Sequence, residues 1–149
     1  GFDFDDMFCD FDRQYSLFGQ YAMSKLANIL FTKELARRYR STGDGTTGIA
    51  AFAIHPGIVR TDVTRNMQWF MRLPNQIFGV FVSAVQKTPA EGAYCSVYCI
   101  AAAQPPPTGS YIVNCREEPS SEASMSVEDS KRLWNISAKL VSAINAAKK

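Results

Sequence analysis

A tyrosine and a lysine four residues apart, within Tyr21-Ala22-Met23-Ser24-Lys25, and the later run His55-Pro56-Gly57-Ile58-Val59-Arg60-Thr61 carry the residue types and spacings best suited to chemistry. On an α-helix, residues i and i+4 share a face, so a phenol and an ammonium are presented together, about 6 Å apart along the axis. A free phenol titrates near pH ~10, too high to trade protons easily at neutrality, but a neighbouring cation favours the phenolate. The pair Tyr21 and Lys25 is therefore a proton-transfer device, with the tyrosine as general acid or base. In the second run, proline sets the chain direction and glycine lets backbone approach a flat ring closely. The alternative for this run is an ordinary strand-to-helix turn capped by Thr61. Histidine as a residue type suits proton transfer at neutrality, but His55 precedes the Pro-Gly turn at a strand end and the mechanism already has its acid, so a structural histidine is the expectation.

The elements that must position these groups follow from periodicity and punctuation. Residues Phe18 to Tyr39 read as a helix, with Leu26, Ile29, Leu30 and Phe31 as a broad apolar surface and Lys33, Arg37, Arg38 and Arg40 crowding its C-terminal end. Cations there suit the helix dipole, the alternative being a phosphate-binding patch. A turn cluster at Ser41 to Gly48 leads to Ile49–Ile54, an apolar run short enough for a fully buried parallel strand. Thr88-Pro89-Ala90-Glu91 combines a capping threonine, proline at the first helical position and glutamate at the third, predicting a helix to about Ala103. Gln104 to Gly109 ends it, Ser110 to Asn114 reads as a strand, and Ser126 to Ala147 returns to helical spacing with Leu133, Ile136, Leu140 and Ile144 inward. The acidic stretch Gly1 to Asp12 reads as a loop before the first helix. Helices alternating with strands indicate an α/β fold. Two strands cannot complete a sheet covered on both faces, so apolar surface is expected to remain exposed unless a partner supplies the rest.

With these residues in order, the chain resembles the C-terminal half of a short-chain dehydrogenase/reductase, specifically the retinol dehydrogenase-like branch. Tyr21 to Leu35, His55 to Thr61, Thr88 to Ala93 and Lys131 to Ser137 carry the resemblance, which covers roughly residues 15 to 145. It implies part of a Rossmann-type, doubly wound parallel sheet, apparently incomplete, forming a single partial domain over residues 1–149. It implies Tyr21 and Lys25 as catalytic residues, with Lys25 also holding the nicotinamide ribose. The main chain at Pro56, Gly57, Ile58 and Val59 and the hydroxyl of Thr61 would contact the cofactor, NADP or NAD, with NADP favoured by the resemblance. The substrate would be a small apolar alcohol, aldehyde or ketone, and a homodimer through the Tyr21–Lys25 helix is compatible with the family. The family's glycine-rich pyrophosphate cradle, its Asn-Asn-Ala-Gly run and its catalytic serine are absent from the sequence, and Ser16 lies too near Tyr21 to replace that serine. The expectation is a fragment of a longer enzyme. The alternatives are a catalytically inactive remnant acting as a binding or scaffold partner, and a related reductase of a light-dependent pigment type.

Composition narrows the rest. With 46% hydrophobic and 20% charged residues the chain is globular in type, and a net charge of +2 without basic-aromatic clustering does not suggest nucleic acid. Four cysteines, at 9, 95, 99 and 115, lack paired Cys-x-x-Cys spacing and accompany one histidine, so neither a metal site nor a disulfide framework is expected. Cys95 and Cys99 fit small apolar groups on one helix face. Met67 to Val85 is rich in large apolar residues, including Trp69, Phe70 and Phe81, but is interrupted by Arg72 and Pro74. It reads as a lid over an apolar substrate, a membrane-surface anchor, or plain core. No signal peptide is visible, and a cytoplasmic or membrane-associated intracellular address is compatible with the chain.

Overall fold

The computed structural model describes residues 1–7, 16–40, 48–59 and 86–148. Its elements in chain order are α1 (Leu17–Arg38), β1 (Ala53–His55), α2 (Pro89–Ala101), β2 (Tyr111–Val113), β3 (Arg116–Glu118), a 3₁₀ turn (Glu122–Met125) and α3 (Val127–Ala147). The strands form one sheet in the order β1–β2–β3. The Gly109 N–H donates to the Ala51 carbonyl (2.7 Å) and the Ala53 N–H to the Ser110 carbonyl (3.1 Å), advancing the same way along both segments, so β1 and β2 run parallel. Two residues join β2 to β3, an antiparallel hairpin that the sequence reading did not anticipate. Both turn residues have left-handed backbone, Asn114 at φ 49° and Cys115 at φ 59°, the type I′ pattern whose twist matches flanking strands. The fold is α/β, a partial form of a Rossmann-like sheet.

Two compact units are present. The first comprises Gly1–Ala53, Pro107–Tyr111 and Glu118–Lys149, and the second Ile54–Pro106 and Ile112–Glu117.

In the first unit α1 packs on α3. Ser16 caps α1 by accepting from the Gly19 N–H at 3.2 Å, so it lies in the turn entering the helix. Leu30 and Ala36 are buried from α1 and Leu133 from α3, while Phe31 stacks on Trp134 with ring centroids 5.0 Å apart. Glu34 is buried too, which the sequence reading missed. Its carboxylate accepts from Arg37 (2.8 and 2.7 Å) and from Arg38 (2.6 Å), and the Arg38 guanidinium lies 5.0 Å from the Trp134 ring. The arginines expected to complement the helix dipole thus neutralise a buried carboxylate on their own helix. Lys33 turns to Ser120, donating at 2.7 Å, and burial lowers its proton affinity. The described part of the acidic N-terminal stretch is irregular, as expected, and Arg132 of α3 sits 4.3 Å from the Phe4 ring centre.

Two expectations require correction. Only Leu133 of the four inward positions on α3 is buried and Ile136 half-buried, whereas Leu140 and Ile144 are exposed because the C-terminal half of the helix runs beyond the surface on which it packs. The buried strand expected over Ile49–Ile54 is short and shifted: Ile49 is exposed and only Ala53 is fully buried. Among the described strands β1 is an edge, with β2 as its one neighbour, and Ala51 is tied instead to the Thr108 hydroxyl at 3.0 Å.

In the second unit, α2 begins where the capping box predicts. The Thr88 hydroxyl accepts from the Glu91 N–H (3.2 Å) and the Glu91 carboxylate accepts from the Thr88 N–H (2.7 Å), with Pro89 at the first position. Cys95 and Cys99 are buried on one face, as their spacing suggests, together with Ile112.

The Arg37 hydrogen bond, then Arg38, holds the Glu34 carboxyl below the usual carboxylate range against the opposing effect of burial. A depressed folded value means this stabilisation is complete above the unfolded group's titration near pH ~4.3 and is lost as pH falls through the lower folded value. Glu34→Gln is expected to cost about 1–3 kcal/mol in urea unfolding at pH 7. That difference from the unsubstituted chain should shrink below pH ~4.

Candidate functional site

Each part of the site is built by a different local device. Tyr21 and Lys25 lie one turn apart on α1, and the Lys25 Nζ is 5.3 Å from the centre of the Tyr21 ring. The helix thus brings the phenol and the ammonium together as the i, i+4 spacing requires. Tyr21 is 61% exposed, so its hydroxyl faces outward rather than into the seam with α3. The Ser24 hydroxyl donates to the Tyr21 carbonyl at 2.7 Å, a local backbone contact.

The Pro-Gly run begins where β1 ends at His55, which is exposed. Gly57 has φ +85°, a backbone that a β-carbon disfavours, which is the physical reason glycine stands there. Pro56 and Ile58 are exposed, while Gly57 and Val59 are half-buried, so the turn presents an open edge. Thr61 and the apolar stretch Met67 to Val85 lie outside the described residues.

Three residues that the sequence reading did not assign hold this turn. The Lys87 N–H donates to the Ile58 carbonyl at 2.8 Å, and Val59 and Lys87 form a parallel bridge. The Lys87 stem lies along the turn, where a β-carbon on Gly57 would meet its Nζ at 3.2 Å and its Cε at 3.3 Å. The Lys87 Nζ donates to the Asn114 Oδ1 at 2.7 Å, which fixes that stem. Behind the turn, a β-carbon on Gly92 would lie 2.6 Å from the Val59 Cγ2, so α2 approaches Val59 only because residue 92 is glycine. The sequence signals were slight: Lys87 directly precedes the capping box, and Asn114 opens a two-residue link between short strands. The Tyr–Lys pair belongs to the first unit and the Pro-Gly turn to the second.

Among the described residues no cluster of three or more histidine, cysteine, aspartate or glutamate side chains could hold a metal ion, and no helix is long and apolar enough to cross a membrane.

No family model matches the chain. It is 37% identical to bovine (Bos taurus) retinol dehydrogenase 12 over 131 residues, 87% of this chain and 38% of that protein. It is 36% identical to human retinol dehydrogenase 14 over 93% of this chain and 39% of the relative, and 32% identical to human polyprenol dehydrogenase over 88% and 38%. With an α/β fold and matches of this extent, the chain is a homologue of the retinol dehydrogenases of the short-chain dehydrogenase/reductase family. It spans less than two-fifths of the length of these relatives.

The packing at the turn makes a prediction. Alanine at residue 92 gains about 1 kcal/mol of helix propensity but must displace Val59, whose branched side chain rotates little. Gly92→Ala is therefore expected to destabilise the chain by a net ~1–2 kcal/mol in urea unfolding, with faster amide exchange at Lys87, whose N–H bonds the turn.

Proposed function

We propose that this chain supplies the proton-transfer pair and the nicotinamide-facing turn of an NAD(P)-dependent oxidoreductase. The reaction would interconvert an apolar alcohol and its aldehyde or ketone. The observation that carries this reading is the Tyr21–Lys25 pair, ammonium 5.3 Å from the phenol ring on an outward face, in a chain 37% identical to a retinol dehydrogenase. In this reading the Tyr21 hydroxyl gives a proton to the substrate oxygen in reduction and takes it back in oxidation. Lys25 places positive charge beside the ring, so negative charge appearing on the phenolic oxygen is stabilised. When bound, the nicotinamide supplies or accepts the hydride at the carbonyl carbon.

The turn fits that flat ring for a steric reason. Gly57 carries no β-carbon, its φ of +85° turns the chain sharply, and Pro56 and Ile58 are exposed beside it. The main chain of Pro56, Gly57, Ile58 and Val59 would hold the carboxamide end, with Thr61 further along the run. The chain's sequence contains no glycine-rich pyrophosphate cradle, so its residues fit the nicotinamide end of the cofactor and not the phosphate end. NADP is favoured over NAD by the family resemblance. The relatives' names support an apolar substrate, retinol in one case and polyprenol in another. Membrane-surface association and a dimer through α1 belong to the same proposal.

A second reading is a scaffold or binding partner without activity. It is favoured by apolar side chains turned outward on α2, with Tyr94 62%, Val97 57% and Ile100 87% exposed.

A chimera separates the two. Replacing the matched segment of bovine retinol dehydrogenase 12 with this chain should retain that protein's retinol dehydrogenase activity, assayed as retinal reduction with NADPH. Tyr21→Phe in that chimera should lower turnover by about 10²–10⁴ while cofactor binding is largely kept. A folded chimera that binds NADPH but reduces nothing, or unchanged turnover in Tyr21→Phe, would overturn the catalytic reading.

A further inference from the structure

We propose that Cys95 and Cys115 form an oxidation site, a dithiol that closes to a disulfide when a hydroperoxide reaches it. Their sulfurs stand 3.5 Å apart, and the Cys115 N–H donates to the Cys95 sulfur at 3.1 Å. The two come from separate elements, Cys95 from the buried face of α2 and Cys115 from the second turn position of the β2–β3 hairpin. A disulfide has a sulfur separation near 2.05 Å, so closure needs an approach of about 1.5 Å.

The hairpin makes this pairing more than a chance contact of small apolar groups. Cys115 has φ 59°, at a turn position where both central residues are left-handed and glycine is the usual occupant. A β-carbon there is tolerated only when surrounding contacts hold it. The structure supplies such contacts from Cys95, whose sulfur meets both the Cys115 N–H and its thiol.

The chemistry balances with one oxidant. The Cys115 sulfur attacks the peroxide O–O bond, an S–O bond forms, and the alcohol or water leaves. The Cys95 sulfur then attacks that sulfenic acid, forming S–S and releasing water. Two thiols lose two electrons, and the hydroperoxide is reduced to an alcohol and water. The contact with Cys95 and then burial push the Cys115 thiol above its usual range, with Lys87 opposing. Little thiolate is therefore present at neutrality, and oxidation is a slow, stoichiometric event rather than peroxidase turnover. Cys99, buried one turn further along α2, is also raised by burial.

The site adjoins the turn described above. Asn114, which holds the Lys87 amine beside Gly57, directly precedes Cys115. If the nicotinamide reading is right, oxidation fastens the hairpin that supports the cofactor turn. The disulfide itself stands without that reading.

The test uses the full chain carrying Cys9→Ser, which removes a thiol outside the described residues. After hydrogen peroxide and a denaturing iodoacetamide quench, the intact mass before reduction should rise by about 55 Da, one carbamidomethyl group (about 57 Da) on Cys99 less two hydrogens (about 2 Da) lost to the disulfide. Peptide mapping should show a Cys95–Cys115 link, reversed by dithiothreitol. In the native chain this link should exceed any involving Cys99 by at least ~10-fold, and the preference should vanish in urea. Cys99→Ser should keep the link and Cys115→Ser abolish it. The mapping on the chain with Cys95, Cys99 and Cys115 intact decides the matter even if those variants misfold. Both thiols alkylated after oxidation, stepwise oxygen addition without a link, or a dominant link to Cys99 would overturn the proposal.

Discussion

The seam between α1 and α3 sets the direction in which the chemistry of the first unit faces. Leu30 is wholly buried, with Glu34 one turn on along the same face of α1, and Phe31 stacks on Trp134. At 3.6 residues per turn, Tyr21 falls roughly 180° and Lys25 roughly 140° around the helix from Leu30. Burying Leu30 therefore turns the phenol and the ammonium away from the Leu30 face, and both are exposed. Glu34 can remain buried there only while Arg37 and Arg38 answer its charge. Arg38 in turn lies over Trp134, so charge neutralisation and aromatic packing share one side chain.

The second unit solves a different problem, holding an open turn in shape without covering it. Backbone pairing with Lys87 sets the strand direction after the turn, and the lysine stem occupies the space that a side chain at residue 57 would need. Gly92 removes the last obstacle on the other side, letting α2 approach Val59. Three small constraints thus define a turn whose outer edge stays accessible. The same hairpin that carries Asn114 to Lys87 carries Cys115 to Cys95, so the support of the turn and the thiol pair share one piece of backbone.

The apolar side chains left outside fit a chain that spans under two-fifths of its relatives' length. Ile100 on α2 and Leu140 and Ile144 on α3 are residue types that a complete α/β domain normally covers. Edge exposure of β1 has the same character: its apolar lead-in, Ile49, is open where a central strand would be buried on both faces. Both features explain why a periodicity reading, which assumes that apolar faces are covered, placed too much of α3 and β1 in the core.

Local signals determined a good deal by themselves. The i, i+4 spacing of Tyr21 and Lys25 and the capping box at Thr88 each depend on a few neighbouring residues, and each formed as read. Tertiary structure alone decided that Glu34 is buried, what supports the turn and which cysteines meet. Lys87 reaches Asn114 across 27 positions and Cys95 reaches Cys115 across 20, separations over which no periodicity links the partners. Such contacts depend on how the chain returns on itself, and that is set by the burial of side chains together rather than by the pattern of any one segment.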